Sequence, residues 1–184
     1  FFPTKKNMIP IDGIPVSLKN AFHEFIIARC IRNLRGDANE HCTMMINAHT
    51  HKYMTERIFH NMESYCNEVK GAITSNYMMD DNFSMQNPIM SQLRSIFDYA
   101  YGKNVIEQWG DIKRELNNVI MEMRFYAEYS GSPFGSLDYE SWSKSGRGLT
   151  AVVIGGFKLS RGLTLEGLTV SYLYRDPQVG DTLL

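Results

Sequence analysis

The chain has 184 residues, of which 43% are hydrophobic and 21% charged, with 19 Lys and Arg against 20 Asp and Glu for a formal net charge of −1. That is enough apolar material for one domain, or for one domain carrying an insertion, and it excludes a global field that would attract nucleic acid or membrane, so any such contact has to come from a local patch. Cys30, Cys42 and Cys66 are widely spaced and form no Cys-x-x-Cys pair, which argues against a disulfide framework and a thiolate zinc site and fits a reducing cytoplasm.

No apolar run approaches the ~18 residues of a membrane span, so no membrane partner is expected. The start, Phe1-Phe2-Pro3-Thr4-Lys5-Lys6, lacks the arrangement of a signal peptide. Asn82-Phe83-Ser84 matches a glycosylation acceptor only formally, because no secretory signal accompanies it. The chain begins without Met and stops soon after a promising strand, and it reads as a piece of something longer.

In chain order, Ile14-Pro15-Val16-Ser17 opens a helix in which Leu18, Ala21, Phe22, Phe25, Ile26 and Ile31 recur at helical spacing, with Gly36 as its stop. Cys42 to His49 reads as a strand followed by a loop, His49-Thr50-His51-Lys52. A helix then carries Met54, Ile58, Met62, Tyr65 and Val69 on one face. This is the first half of a βαβ unit, and the loop stands at the strand end where open α/β sheets place ligands. Gly71 to Asn87, rich in Asn, Asp, Ser and Met, reads as a connection. Asn87-Pro88 caps a helix with Ile89, Leu93, Ile96, Phe97 and Tyr101 on one side and Gly102 at its end. A further helix from about Asn104 carries Val105, Trp109, Ile112, Leu116, Val119 and Ile120. This pair reads as a helical insertion or cap over about 76–120.

Aromatic enrichment makes Arg124 to Tyr129 a strand. Ser130 to Leu149 reads as Gly- and Ser-rich loop, and strands follow at about Thr150 to Ile154 and Thr169 to Tyr174. The expected fold is α/β with a parallel sheet flanked by helices.

The most informative stretch joins those last two strands. Gly155 and Gly156 directly follow a continuous apolar run, the mark of a buried parallel strand, and glycine lets backbone approach a ligand closely. With Gly162, Lys158 and Arg161 they could cradle phosphate oxygens, alongside Ser160, Thr164 and Glu166. A tight connection with solvated cations fits the same spacing. No Gly-x-x-x-x-Gly-Lys-[Ser/Thr] run exists, so the chain cannot bind ATP in the Walker manner unaided.

The remaining candidates have ordinary readings beside the functional ones. His41, His49, His51 and His60 with Cys42 and Cys66 invite a metal, yet His49 and His51 supply at most two of the three or four ligands that zinc needs. Asp138 and Glu166 could form a magnesium-holding pair, or a turn residue and a loop cap. Trp109 and Trp142 could stack on bases, although Trp109 lies on an apolar face. Lys144 and Arg147 form a modest basic patch that could touch a phosphate backbone.

Gly155 to Tyr172, with Asp181-Thr182-Leu183 following, is similar to the signature of the Z1 domain family. Pro15-x-Ser17-Leu18 with Ala21, Phe22 and Phe25, the strand Thr43 to Ile46, and Leu137-Asp138-Tyr139 resemble its other landmarks in order. These domains occur in bacterial superfamily II helicase-like proteins, some labelled endonucleases. The resemblance implies a RecA-like lobe, the second of two that clamp ATP and a nucleic-acid strand. Its expected partners are DNA and a P-loop-containing lobe of the same polypeptide, and its cofactors, ATP and magnesium, would act in the parent protein and not in this piece alone.

In that picture Thr43 to Thr50 resembles helicase motif IV, and Gly155 to Glu166 resembles motif V. Gly155, Gly156, Lys158, Ser160, Arg161, Gly162, Thr164 and Glu166, with His49 and Thr50, would contact nucleotide or nucleic acid. Thr164 replaces the usual acidic residue and Gly156 replaces a frequent threonine, so ribose and hydroxyl contacts do not carry over. Motif VI is missing from the chain, and the isolated piece is expected to be inert as an ATPase. Two other readings stay open, a non-catalytic RecA-like interaction module and a magnesium-dependent endonuclease.

Overall fold

The β-strand Cys42–Asn47 (β1) has a parallel neighbour on each side, and this placement organises the chain. The computed structural model describes residues 13–47, 52–134, 137–156 and 164–173. The other strands are Arg124–Glu128 (β2), Thr150–Gly155 (β3) and Leu168–Leu173 (β4), and the sheet order is β2-β3-β1-β4, parallel at every pairing. The helices are Val16–Leu34 (α1), Lys52–Asn76 (α2), Asp81–Ser84 (α3), Pro88–Ile96 (α4), Trp109–Glu122 (α5) and Tyr139–Lys144 (α6), and a π-helical turn, Phe97–Tyr101, extends α4. The α/β fold expected from the sequence is the fold observed.

Strand order dictates which face each connection covers. Travel from β1 past β3 to β2 reverses for β2 to β3 and for β3 to β4, and right-handed crossovers then place the later connections on the opposite face of the sheet. The contacts agree. The main core joins Phe22, Phe25 and Ile26 of α1, Met62 and Val69 of α2 and Leu116 and Val119 of α5 to Met44, Ile46, Val152 and Ile154 of the sheet. The second face holds a small cluster, in which Tyr139, Leu149, Ala151 and Val153 meet Trp142 and Leu165.

Local chemistry explains the boundaries. Gly36 takes a left-handed φ of 95° just beyond α1, as a helix stop requires. Asn87 caps α4 by accepting the backbone N–H groups of Ile89 and Met90 at 3.0 and 3.2 Å, with Pro88 at the first position. The stretch from Gly71 to Asn87 differs from expectation: α2 continues through Gly71 to Asn76, because Ala72 and Ile73 extend its buried face. Core burial outweighs the ~1 kcal/mol helix penalty of an exposed glycine.

The helix expected from about Asn104 begins at Trp109 instead. Glu107 just before it is taken up by the Arg35 guanidinium at 2.7 and 3.0 Å, which ties the connection to the end of α1. The Ser130–Leu149 loop contains α6, capped by the Asp138 carboxylate accepting the Ser141 N–H at 3.0 Å. Its serines hide a one-turn helix from periodicity arguments. The helices of the 76–120 region are packed into the main core through Met90, Leu93, Trp109 and Ile112, which is continuous with the faces of α1 and α2.

The chain approaching β1 is held by a buried cation. Arg29 is 1% exposed, and its guanidinium donates to the carbonyls of Glu40 at 2.8 Å, Ala38 at 2.9 Å and Asp37 at 3.3 Å. Arg32 adds a bond to the His41 carbonyl at 3.1 Å. Gly148 and Gly167 pass so close to the carbonyls of Glu40 and His41 that a Cβ on either would overlap backbone. Gly167 also has φ +63°, so alanine there meets strain and collision together.

Arg29→Met should lower the unfolding free energy by about 3 kcal/mol in urea titrations, because buried carbonyls lose charged donors. Gly167→Ala should cost about 2 kcal/mol or more in the same titration, with Gly146→Ala, free of any neighbour, as the milder control. His23 in α1 accepts or donates to the Tyr65 hydroxyl at 2.9 Å, and burial, with Lys19 nearby, pushes its pKa down from 6.5 to about 4. The unfolded chain therefore binds a proton that the folded chain refuses. This contribution is fully present above pH 6.5 and is lost as pH falls to about 4. Over that window the wild type should lose about 3 kcal/mol more than His23→Gln, measured by urea unfolding at stepped pH.

Candidate functional site

In a parallel sheet every strand ends on the same edge, and ligands collect where adjacent strands send their connections in opposite directions. Here those strands are β1 and β3. Asn47 and Gly155 are register partners at this edge, Glu128 of β2 lies opposite Gly155 on the other side, and Leu173 of β4 lies opposite Asn47. Gly155 is buried and Gly156 half-buried as the chain turns off the sheet. Both were expected in the site, and both stand at the β1/β3 crevice. His49, Thr50, Lys158, Ser160, Arg161 and Gly162 lie outside the described residues.

Glu128, Tyr129 and Glu56 at this edge escape a reading of the sequence, which places only Lys52 of this group here. Glu128, 5% exposed, is the register partner of Gly155. The Tyr129 hydroxyl donates to Glu56 at 2.6 Å, while the Lys52 ammonium lies 3.8 Å from Glu56 and 5.1 Å over the Tyr129 ring. The signal available in the sequence was positional: a carboxylate and an aromatic closing a strand.

Thr164 and Glu166 are placed elsewhere. The connection from β3 must return to the opposite edge before β4 can run parallel to β1, and its last residues are fastened there. The Thr43 hydroxyl donates to the Glu166 carbonyl at 2.7 Å, the Thr43 N–H donates to the Gly167 carbonyl at 2.9 Å, and the Glu166 carboxylate lies 3.7 Å from His41. Thr164, two residues earlier, is exposed. The fold thus separates Glu166 from Gly155 and Gly156 by the length of a strand.

His41, Ser143 and Glu166 resemble a hydrolytic trio only in composition. His41 Nδ1 accepts the Leu149 backbone N–H at 3.0 Å, so the neutral ring carries its proton on Nε2 and donates to Ser143 Oγ at 2.9 Å. A general base needs Nε2 free to take the serine proton. The tautomer set by Leu149 is the wrong one for nucleophilic catalysis.

Magnesium fits the Asp138 and Glu166 pair no better. Asp138 spends its carboxylate on the N–H and hydroxyl of Ser141, at 3.0 and 2.6 Å, and these bonds hold its carboxyl below the usual range. Among the described residues no three His, Cys, Asp or Glu side chains are grouped to hold a metal ion. Cys66 is kept a thiol, since burial pushes its pKa up to about 12. Trp109 is buried against Phe97, with ring centroids 5.8 Å apart, and is removed from stacking on bases. Lys144 pairs with Glu140 at 2.6 Å, which weakens the basic patch it forms with Arg147. A cleft of about 280 Å³ between α2, the end of α5 and the start of β2, lined by Glu63, Cys66, Lys70 and Arg124, lies at the end of β2 remote from the glycine edge.

The family model described as Z1 domain matches residues 17–184. No curated protein and no solved structure matches the chain. The match runs from the first turn of α1 through the glycine crossover and beyond β4, so the chain belongs to the Z1 domain family.

Proposed function

We propose that this Z1 chain is a RecA-like lobe of an ATP-dependent, helicase-like motor that acts on DNA in the cytoplasm. The observation that carries the reading is the position of Gly155 and Gly156 at the β1/β3 crevice, the switch point of a four-stranded parallel sheet. The β2-β3-β1-β4 order supports it, because that order makes the glycine segment leave the sheet away from the helix that follows β1. Three buried free thiols, Cys30, Cys42 and Cys66, suit a reducing compartment. No helix among the described residues is long and apolar enough to cross a membrane.

The described residues fit one wall of a nucleotide site. Backbone at Gly155 and Gly156 can approach phosphate, and Lys52 brings a cation to the same edge. They do not fit magnesium, which falls in this proposal to the P-loop lobe of the parent protein. Bound ATP would supply the free energy of phosphoryl transfer. This chain's part is to orient phosphate oxygens and to hold a DNA strand across the cleft through Lys158 and Arg161.

The parent protein should hydrolyse ATP faster with single-stranded DNA than without it, and Lys158→Ala or Arg161→Ala should reduce that stimulation about tenfold or more. The 184-residue chain alone should show no turnover. A parent with no stimulated turnover would replace the motor reading with a non-catalytic interaction module. DNA cleavage abolished by Glu166→Ala or Asp138→Ala would revive the endonuclease.

A further inference from the structure

We infer that the cleft between α2, the end of α5 and the start of β2 is a binding site for a small organic monoanion, an apolar body carrying one carboxylate. The cleft lies at the end of β2 remote from the glycine edge, so the inference goes beyond the motor reading and does not depend on it.

Three elements build its walls. Glu63, Cys66, Asn67 and Lys70 follow one another at three- and four-residue intervals and form one stripe along α2. Facing them are Ile120 and Met121 in the last turn of α5, then Met123 and Phe125 where the chain passes into β2. Cys66, Ile120 and Met123 are buried, and Phe125 packs on Phe22 and Phe59 of the main core, so the floor is apolar. Burial pushes the Cys66 thiol up to about 12, which keeps it neutral and makes this floor a contact surface rather than a nucleophile.

The charged part of the lining is unbalanced. Lys70 is half-buried, and its ammonium makes no hydrogen bond or ion pair with any described residue. Holding an ammonium partly out of water is unfavourable until an anion meets it. The Arg124 guanidinium donates to the Met123 carbonyl at 3.0 Å and reaches the Met121 carbonyl at 3.5 Å, which places it at the α5 end of the cleft, with no carboxylate in salt-bridge contact among the described residues. Glu63, the one carboxylate of the lining, already has His60 at 3.7 Å. Two cations against one carboxylate leave a single positive charge in excess, which a monoanion neutralises and a phosphate dianion would overshoot. The cleft volume of about 280 Å³ falls just below the ~300 Å³ at which pockets for drug-sized ligands begin, so the ligand is smaller than those. Its carboxylate would meet Lys70 and Arg124 through charge-assisted bonds, and its apolar body would cover Ile120, Met123 and Phe125.

The test uses the 184-residue chain and octanoate as the probe, with binding followed by amide NMR shifts. Octanoate should move the amides of Cys66, Lys70 and Phe125, and it should bind about fivefold or more tightly than octanol, which keeps the apolar body and lacks the charge. Inorganic phosphate, a charge without the body, should leave these amides in place and fail to displace octanoate at equal concentration. Lys70→Met should weaken octanoate about tenfold and remove its advantage over octanol, and Arg124→Gln should weaken it several-fold. Lys103→Met, which deletes an exposed cation outside the cleft, should bind as the wild type does.

Octanol binding as tightly as octanoate, displacement by phosphate, or wild-type affinity in Lys70→Met would each overturn the inference. So would shifts confined to amides outside the cleft. None of these outcomes bears on the motor reading, which stands or falls on turnover by the parent protein.

Discussion

The rest of the molecule depends on β1 being clasped between β3 and β4. A strand with parallel neighbours on both sides cannot shift register without breaking two ladders at once, and the segments attached to it inherit that rigidity. The clasp begins before the strand does. Arg29 gathers the carbonyls of Asp37, Ala38 and Glu40, so the chain enters the sheet from a fixed point. A buried guanidinium with no carboxylate in salt-bridge contact among the described residues is tolerable here because the carbonyls it satisfies would themselves be costly to bury unpaired.

With β1 in the middle, the direction of travel along the sheet must reverse, and the reversal gives the molecule two chemically different edges. At one edge Gly155, Gly156, Asn47 and the buried Glu128 meet where connections diverge. At the other, His41, Ser143, Thr43, Tyr139 and the Glu166 carbonyl form a hydrogen-bonded cluster. The cluster contains the residue types of a hydrolytic site. Leu149 donates into His41 and Ser141 occupies Asp138, so the proton positions and lone pairs serve structure.

The two faces of the sheet differ as sharply as its edges. The long helices α1, α2 and α5 cover one face with a continuous core, whereas α6 and Leu165 lie on the other around Tyr139, Ala151 and Val153. The region expected as a helical insertion contributes to the larger core through Met90, Leu93 and Trp109. Helical periodicity records that these residues are buried, but not which neighbour buries them.

The sequence by itself determined the strands at about Cys42, Arg124, Thr150 and Thr169, the Asn87-Pro88 cap, the stop at Gly36 and the glycine pair after a buried strand. Each of these is written in local patterns of polarity and backbone freedom. It misjudged the end of α2, the start of α5 and the existence of α6, where burial of Ile73, the Arg35–Glu107 pair and the Asp138 cap override local composition. Only the tertiary structure decided that Gly155 and Glu166, eleven positions apart in one motif, belong to opposite edges, and that Glu128 joins the first of them. Strand order is set by pairings between residues far apart in the chain, and no periodicity within a segment encodes its neighbour.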